Sequence, residues 1–320
     1  MSAEKAPIVT IGLPVYNGAK HIRDCLDSLL NQSFTDLEIV ILDNASTDET
    51  EAICREYAAK DDRIQYRRQT ANVGAAANFN EVFTYARGKY FKWAAHDDVC
   101  APTFIEACVQ VLDEHPDTVL AFTGTELIND DGSLVVFDPS KNAYVDSGGR
   151  NWVIYFEESM FSEDPIERFS AILTRSKLCH EVFGVIRTEA LSHTSLIGAY
   201  YGSDKVLLAE LCLQGRFEQL LDSLFYRRCH PVQSSKRPIM ERERWISGKE
   251  PGLFVFPQRH VLAGYIHAAL HARLPVGQRM RGLKAVLQYA LSPEKLSRLS
   301  VRHKNSYLRF KKKDRPVTTP

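Results

Sequence analysis

Two adjacent carboxylates, Asp97 and Asp98, stand at the end of a hydrophobic stretch, where ionised groups are costly to bury. The stretch reads YFKWAAHDDVCAP and predicts a strand at residues 90–94, with Pro102 opening a helix. Proteins bind Mg²⁺ or Mn²⁺ with one or two carboxylates together with phosphate oxygens of a ligand. The pair is therefore a candidate site for a divalent cation and an anionic ligand. The alternative interpretation is a solvated turn in which one acid caps the helix.

The elements that must position this pair follow from the hydrophobic pattern. Apolar runs of strand length alternate with segments whose apolar residues recur at helical spacing, which predicts a mostly parallel sheet with helices on both faces. Continuous apolar runs are typical of parallel strands buried on both faces. We therefore predict a three-layer α/β/α sandwich with right-handed connections. The further predicted strands are residues 8–13, 37–42, 64–68 and 118–123.

Polar side chains follow these predicted strands at their carboxyl ends. Asn17 comes after the first strand, Asp43 after the second and Asn72 after the third, and the acid pair follows the fourth. Sheets of this class bind ligands at that edge. The coincidence favours a binding site over a set of solvated turns.

Composition limits the class of protein. The chain has 320 residues, 44% hydrophobic and 25% charged, which predicts one large domain with an appendage or two domains. Lys and Arg together number 40 and so do Asp and Glu, which gives no electrostatic case for nucleic acid. The 7 cysteines include no CxxC pair. Together with the lack of a signal-peptide pattern and of a bilayer-length apolar run, they predict reduced core residues and a cytoplasmic location.

The second half offers two further candidates. Tyr200 to Gly215 predicts a helix with Ser203 as N-cap and Asp204 in its first turn, where an acid is also favoured by the helix dipole alone. His230 follows a predicted strand at residues 224–228, although a lone histidine is more often a turn residue.

Four motifs, taken in order, resemble the inverting glycosyltransferases of family 2, which have the GT-A fold. They are PVYNG after the first strand, LDNASTDET after the second, NVG before the third helix and AHDDVCAP after the fourth strand. The resemblance covers roughly the first two thirds of the chain.

The resemblance assigns roles to the strand-end residues. It implies that Pro14, Tyr16 and Asp43 hold the nucleoside, with Asp43 bonded to the base, and that Asp97 lies near the ribose. Asp98 matches the metal-binding acid of the DXD-type motif, whereas His96 replaces an acid or small residue. Asn17 and Asn72 complete the predicted nucleotide-binding set.

The resemblance also suggests the catalytic groups of the second half. Asp204 matches the general base of an ED-like pair in which Ser203 here replaces the Glu, and His230 matches a second metal ligand. Residues 141–160 are expected to form either a mobile loop over the site, where the acceptor docks, or a variable surface loop, and residues 234–237 a flexible basic loop that closes over the diphosphate.

These expectations define an enzyme with a GT-A domain at residues 7–237, divided into a nucleotide-binding half (7–125) and an acceptor half (126–237). Residues 238–320 are expected to form a helical extension with a basic tail at residues 311–315, which is either solvated or in peripheral contact with an anionic membrane. The predicted reaction is metal-dependent (Mn²⁺ or Mg²⁺) inverting transfer of a sugar from a nucleoside-diphosphate sugar, UDP favoured, to a glycan or lipid-linked acceptor in bacterial surface polysaccharide synthesis.

Three alternatives remain at this point. A non-catalytic sugar-nucleotide-binding scaffold is kept open by the missing Glu beside Asp204. A nucleotidyltransferase is disfavoured because GLPVYNGAK lacks the expected Arg, and a Rossmann dehydrogenase is disfavoured because GxGxxG is absent after the first strand.

Overall fold

The computed structural model describes residues 6–152, 162–174, 179–231, 233–234, 237–250 and 257–292. The first part of the chain contains β1 (Val9–Val15), α1 (Ile22–Leu30), β2 (Leu37–Asp43), α2 (Thr50–Ala58), β3 (Ile64–Arg68), α3 (Ala75–Thr84), β4 (Tyr90–Trp93), β5 (Val99–Cys100), α4 (Phe104–Glu114) and β6 (Thr118–Asn129). The second part contains β7 (Val136–Asp138), β8 (Ala143–Val145), β9 (Asn151–Trp152), α5 (Pro165–Thr174), a 3-10 turn (His180–Phe183), β10 (Val185–Arg187), α6 (Thr188–Ser192), α7 (Ser203–Cys212), β11 (Arg216–Cys229), α8 (Ile239–Ser247), α9 (Pro257–His271) and α10 (Val276–Ala290).

One large sheet has the strand order β3-β2-β1-β4-β10-β6-β11-β5. The strands β3, β2, β1 and β4 are parallel, and β11 is parallel to β6. The short strand β10 runs antiparallel to both of its neighbours, and β5 runs antiparallel to β11. The carboxyl ends of β1, β2 and β4 therefore meet at one edge of the sheet. A separate small sheet has the order β7-β8-β9.

Two apolar layers cover the sheet, one on each face. Alternate residues of β2 serve both layers, since Val40 and Leu42 pack into one and Ile39 and Ile41 into the other. Helices α1, α2 and α4 fill the second layer, and α3, α5, α7, α9 and α10 fill the first. The predicted three-layer α/β/α sandwich with a mostly parallel sheet is confirmed.

Some elements differ in length from their predictions. The strand β6 continues to Asn129 instead of ending at Thr123, and β11 begins at Arg216, eight residues before the predicted start at Leu224. The extra residues are mixed polar and apolar, so no continuous apolar run marks them. The two strands extend because each satisfies the backbone hydrogen bonds of the other along its length.

Helix α8 lies within the predicted helical extension at residues 238–320, but the sequence did not single it out as a helix. Its sequence IMERERWIS places only Glu243 and Ile246 in buried positions, so its hydrophobic periodicity is weak. Contact with α3 stabilises it in place of an apolar stripe of its own.

The last two described helices pack as a hairpin onto the sandwich. Helix α9 contacts α7, and α10 contacts α9 and α5. Among the described helices, none combines the length and apolar character needed to cross a bilayer. The division between residues 237 and 238 stays a prediction. Residues 153–160 of the predicted mobile loop, 235 and 236 of the basic loop, and the basic tail at 311–315 lie outside the described residues.

Candidate active site

A cavity of about 890 Å³ lies at the edge of the sheet where β1 and β4 end. This is the position at which parallel α/β sheets bind ligands, and the volume suits a nucleotide-sized molecule. Seven residues predicted as site residues line it: Pro14, Tyr16, Asn17, Asn72, Asp97, Asp98 and His230. The other two, Asp43 and Asp204, are not among the described residues of the lining.

The end of β11 holds both carboxylates of the acid pair. The backbone N–H of Arg228 donates to Oδ1 of Asp98 at 2.9 Å, and Nε2 of His230 lies 2.8 Å from Oδ2 of Asp97. Asp98 is 8% exposed, so its carboxylate is largely removed from water. The pair is thus fixed by a strand more than a hundred residues away in the sequence.

The two carboxyl groups have pKa values displaced in opposite directions. Burial and the adjacent charge of Asp97 raise the pKa of Asp98 to about 8. Burial acts in the same sense on Asp97, but the imidazoles of His96 and His230 outweigh it and hold the pKa of Asp97 below its usual value. The site therefore favours the ionised form of Asp97. The carboxylate of Asp98 is stabilised only when a proton or a cation neutralises its charge.

Arg228 fixes the backbone beneath the acid pair. Its side chain is 2% exposed, and its Nε donates to the carbonyl oxygen of Asp97 at 2.9 Å. Its Nη2 donates to Oδ2 of Asp24 at 2.8 Å, and its Nη1 donates to the carbonyl oxygen of Asp130. This guanidinium is therefore engaged by protein groups through Nε, Nη1 and Nη2, and it acts on the site by orienting the acids.

A second histidine lies behind His230. The two rings, of His21 and His230, are 5.4 Å apart, and Nε2 of His21 is 3.0 Å from Oδ1 of Asp130. Burial and the charge of Arg228 lower the pKa of His21. Nδ1 of His230 is buried and has no hydrogen-bond partner within the described part of the chain.

The loop after β1 forms the wall beside the acid pair. Tyr16 is 39% exposed, which leaves an aromatic face available to a ligand. Asn17 adopts a φ of 52°, and its Oδ1 accepts the backbone N–H of Thr47 at 2.8 Å. Asn17 therefore also ties this loop to the one after β2.

Asp43 lies at the end of β2 but is fully buried. Its Oδ1 accepts the backbone N–H of Ser46, and its Oδ2 accepts the Tyr66 hydroxyl, both at 2.8 Å. Nε of Arg68 is 3.5 Å from the same Oδ2. The carboxylate is thus engaged inside the protein, and its predicted contact with a base stays a prediction.

The next residue, Asn44, takes the lining position instead. Its Nδ2 donates to Oδ1 of Asn72 at 3.1 Å, and its Oδ1 accepts the backbone N–H of Val73. Sequence reasoning did not select Asn44, although its position directly after a strand was the available signal.

Two glycines join the loop before α3 to the end of α8. Gly74 has a φ of +88° and Gly248 a φ of +68°, and a Cβ on Gly74 would lie 2.3 Å from the backbone nitrogen of Gly248. Only glycine permits both this conformation and this approach. The contact holds α8 against the rest of the cavity wall.

The far wall is rich in arginine, and of its residues only Arg237 belongs to a segment, the basic loop at residues 234–237, that the sequence predicted near the diphosphate. It contains Arg227, Arg237, Glu241, Arg244 and Trp245. Five arginines occur between positions 227 and 244, and for the residues outside the predicted basic loop this density was the available signal.

A buried histidine supports one of these arginines. Nη1 of Arg227 lies 2.7 Å from Nε2 of His180, and burial together with the charge of Arg227 lowers the pKa of His180 to about 3. The imidazole is therefore neutral and accepts the hydrogen bond of the guanidinium.

A buried lysine lies behind the acid pair, within a segment read from the sequence as an apolar strand. The side chain of Lys92 is fully buried, and its ammonium group donates to the carbonyl oxygens of Phe183 and Trp93. It also lies 4.6 Å from the ring centre of Phe104. Its charge acts on the pKa of Asp98 in the downward direction, against burial.

Asp204 lies in the first turn of α7, as the sequence predicts. It is half-buried, and its Oδ1 accepts the backbone N–H of Lys205 at 2.9 Å. Its predicted role as a base is not tested by this placement.

Comparison with known proteins identifies the first half of the chain. The sequence profile of "Glycosyl transferase family 2" matches residues 10–163. This part of the chain is a glycosyl transferase family 2 domain. All the predicted nucleotide-binding residues and Asp98 fall inside the match, whereas Asp204, His230 and α8 lie beyond it.

The relatives of this family 2 domain are named glycosyltransferases and polysaccharide synthases. An uncharacterized glycosyltransferase of Rickettsia prowazekii is 38% identical over 125 residues, which cover 39% of this chain and 38% of that protein. A chondroitin synthase of Escherichia coli is 31% identical over 173 residues, 54% of this chain and 24% of that protein. The chain thus spans less than two fifths of the length of these curated relatives.

Solved structures support the GT-A fold. The crystal structure of S. aureus TarS 1-349 in complex with UDP-GlcNAc has a TM-score of 0.62 at 20% identity, covering 89% of this chain and 73% of that one. A second crystal structure of S. aureus TarS 1-349 gives a TM-score of 0.60 at 19% identity, covering 90% of this chain and 73% of that one. At this identity the likeness concerns the fold.

Enzymes of this family and fold generally use a divalent cation. In the described part of the chain, no three His, Cys, Asp or Glu side chains are grouped to hold a metal ion. The acid pair nevertheless fits one, because Mg²⁺ and Mn²⁺ need only one or two protein carboxylates when phosphate oxygens complete the shell. The raised pKa of Asp98 agrees with this fit, because a buried carboxylate beside a second acid has its pKa raised when no cation neutralises it.

Proposed function

We propose that this family 2 protein is a metal-dependent inverting glycosyltransferase. It transfers a sugar from a nucleoside-diphosphate sugar to a hydroxyl of a glycan or lipid-linked acceptor, in bacterial surface polysaccharide synthesis. The observation that carries the proposal is one cavity that combines the Asp97–Asp98 pair with an arginine wall. The polysaccharide synthases among the relatives support the product class, and the complex of TarS with UDP-GlcNAc supports UDP as the nucleotide.

The diphosphate of the donor is proposed to lie between the Asp97–Asp98 pair and the arginine-rich far wall of the cavity. Arg227, Arg237 and Arg244 face the cavity with positive charge, which favours phosphate oxygens. The nucleoside would then occupy the side formed by Pro14 and Tyr16. When bound, a Mn²⁺ or Mg²⁺ ion held by Asp98, with His230 beside it, supplies charge that stabilises the leaving diphosphate.

The acceptor is proposed to react in a single displacement. A general base takes the proton from the acceptor hydroxyl as its oxygen attacks the anomeric carbon from the face opposite the diphosphate. The bond from that carbon to the diphosphate breaks, so the configuration inverts and no covalent intermediate with the protein forms. We keep the division into a transferase domain at residues 7–237 and a helical extension at 238–320 as part of this proposal, with the enzyme at the inner face of the cell membrane.

Two carboxylates compete for the role of base. Asp204 is proposed from its place at the start of α7, and Glu241 is a second candidate because it lines the cavity. Asp204→Asn should lower the rate of transfer by about 10²–10⁴-fold without weakening donor binding. Glu241→Gln is the matched variant. If Glu241→Gln abolishes transfer and Asp204→Asn leaves it unchanged, Glu241 is the base.

The first experiment is calorimetric binding of UDP, GDP and dTDP, with and without Mn²⁺. Wild-type protein should bind one nucleotide, and binding should weaken by at least about tenfold in Asp98→Ala or when the metal is removed. The control is Asp62→Ala, which removes an exposed acid elsewhere on the molecule. Binding of no nucleotide, or binding indifferent to both metal and Asp98, would contradict the donor site.

A non-catalytic scaffold is the second candidate function, since Ser203 stands where the family pattern has a Glu. It predicts donor binding of the same metal dependence, with neither hydrolysis nor transfer of the sugar. Product analysis with radiolabelled UDP-sugars and a panel of glycan acceptors separates the two functions.

A further inference from the structure

The outward face of α10 carries a row of apolar side chains. Val276, Met280, Leu287 and Leu291 are each 58–64% exposed. A helix turns by about 100° per residue, so these positions fall within roughly 60° of one another around its axis. The face opposite this row packs against the protein through Gly282, Ala285, Val286 and Tyr289. The row is therefore a second apolar face, which the described part of the chain does not cover.

The neighbouring helix adds to this surface. Ile266 and Leu270 of α9 are 39% and 43% exposed. Arg279 of α10 reaches across to α9 and donates from Nη1 to the carbonyl oxygen of Leu270. The two helices thus present exposed apolar side chains from one packed hairpin.

Charge is strongly segregated along the chain. Residues 257–292 contain five Lys and Arg residues and no Asp or Glu, and residues 293–320 contain nine Lys and Arg against two acids. Because the whole chain has 40 of each sign, the part before residue 257 carries an excess of acids equal to the basic excess that follows it. The basic residues of the hairpin are Arg259, Arg273, Arg279, Arg281 and Lys284.

We propose that the outward face of α10 docks on an anionic lipid bilayer, with the apolar row in the interface and the basic residues, other than Arg281, which is paired with Asp164, against the headgroups. An exposed apolar stripe beside Lys and Arg, without acids, is the pattern of helices that lie in a membrane interface. Each basic residue near an anionic surface adds to the attraction. This inference does not depend on the proposed donor site.

Charge argues against the other occupants. A second copy of the hairpin, or residues 293–320 folded back on it, would bring like charges together on the same face. A nucleic acid would use the basic residues but would not need a row of exposed apolar side chains.

The test uses full-length protein and sedimentation with two kinds of vesicle, phosphatidylcholine alone and phosphatidylcholine with about a third phosphatidylglycerol. Wild type should bind the anionic vesicles and not the neutral ones, and added salt should weaken the binding. The double variant Met280→Glu with Leu287→Glu should lower the partition coefficient by about a hundredfold, because each change removes an inserted side chain and adds a repelled charge.

The control is the double variant Val136→Glu with Leu221→Glu. It adds the same charge at apolar positions that are 73% and 85% exposed elsewhere on the molecule. It should bind within about threefold of wild type. Both double variants alter solvent-facing positions and should unfold at the wild-type temperature.

Three outcomes would overturn the proposal. In the first, wild-type protein does not bind anionic vesicles. In the second, the double variant in α10 binds them as well as the control variant, which means that the basic tail acts by charge alone. In the third, neither protein binds vesicles, and wild type is a dimer in solution that the double variant in α10 converts to a monomer. The last outcome identifies the face as an interface between copies.

Discussion

Replacing Asp98 with Asn should stabilise the protein while abolishing metal-dependent nucleotide binding. The Asn side chain has the same shape, and its Oδ1 can still accept the backbone N–H of Arg228. What it lacks is a charge that burial and Asp97 make unfavourable in the folded state. Such a gain in stability with a loss of binding is expected when a residue that binds the ligand is unfavourable for the fold in the absence of that ligand.

The magnitude follows from the pKa of Asp98, which the fold raises from 3.8 to about 8. Each unit corresponds to about 1.4 kcal/mol, so the shift sets an upper limit of roughly 6 kcal/mol at high pH. Part of this gain is offset because the amide nitrogen of the Asn side chain is a donor placed in a buried site that held an acceptor. We therefore expect a net gain of about 1–3 kcal/mol, or about 2–6 °C in the unfolding temperature of a chain of this size.

The pH dependence has a definite sign. An acid whose pKa is raised in the folded state destabilises the fold as pH rises from its unfolded value, here about 4, to its folded value of about 8. The difference in stability between Asp98→Asn and wild type should be small near pH 4, grow between those values and level off above about pH 8.

The assay is urea unfolding in EDTA at several pH values across that range, repeated with Mn²⁺ and UDP. The matched variant is Asp97→Asn, which should destabilise, because the imidazoles of His96 and His230 favour the charged form of Asp97. The reasoning is refuted if Asp98→Asn destabilises the metal-free protein at pH 8, or if the two variants shift stability in the same direction.

Three further predictions concern the surroundings of the site. Gly74→Ala should weaken UDP binding by about tenfold or more, measured by calorimetry, because its Cβ would displace the backbone at Gly248 and with it α8. His180→Phe should raise the KM for the donor more than it lowers kcat, measured by steady-state kinetics, because Arg227 loses the acceptor that orients it. Glu38→Leu should lower the free energy of unfolding by about 2–5 kcal/mol in urea titration with donor affinity unchanged, since this buried carboxylate accepts hydrogen bonds from three side chains at the opposite end of β2.

The sheet and the cavity wall formed by the loop after β1 and the acid pair could be predicted, because the sequence patterns that mark them are local. Continuous apolar runs marked β1 and β2, and Asn17 and the Asp97–Asp98 pair follow β1 and β4 within a few residues. Since the carboxyl ends of parallel strands meet at one edge, the strand-end residues were expected together, and the cavity contains most of them.

Apart from the basic loop that holds Arg237, the far wall could not be predicted, because it depends on contacts between distant segments. Arg227 is placed by the pairing of β11 with β6, and α8 is held by contact with α3 through Gly74 and Gly248. Neither dependence leaves a periodic pattern in the sequence. Asp43 shows the converse, since a residue at the expected strand end turned out to be bonded to Ser46 and Tyr66 within the protein.

The irregular pairing of β11 decides which of its two cavity-lining arginines contacts His180. From Leu220 to Phe225 this strand advances five residues, while β6 advances only from Thr123 to Thr125. The strand thus accommodates three surplus residues, an odd number, which reverses the faces of all later side chains relative to an unbroken ladder. Arg227 is consequently turned towards His180, and the next residue towards the acid pair's backbone. Deletion of Tyr226, which follows the irregular segment, would move Arg228 into the position of Arg227 and so change the cavity without substituting any residue that lines it.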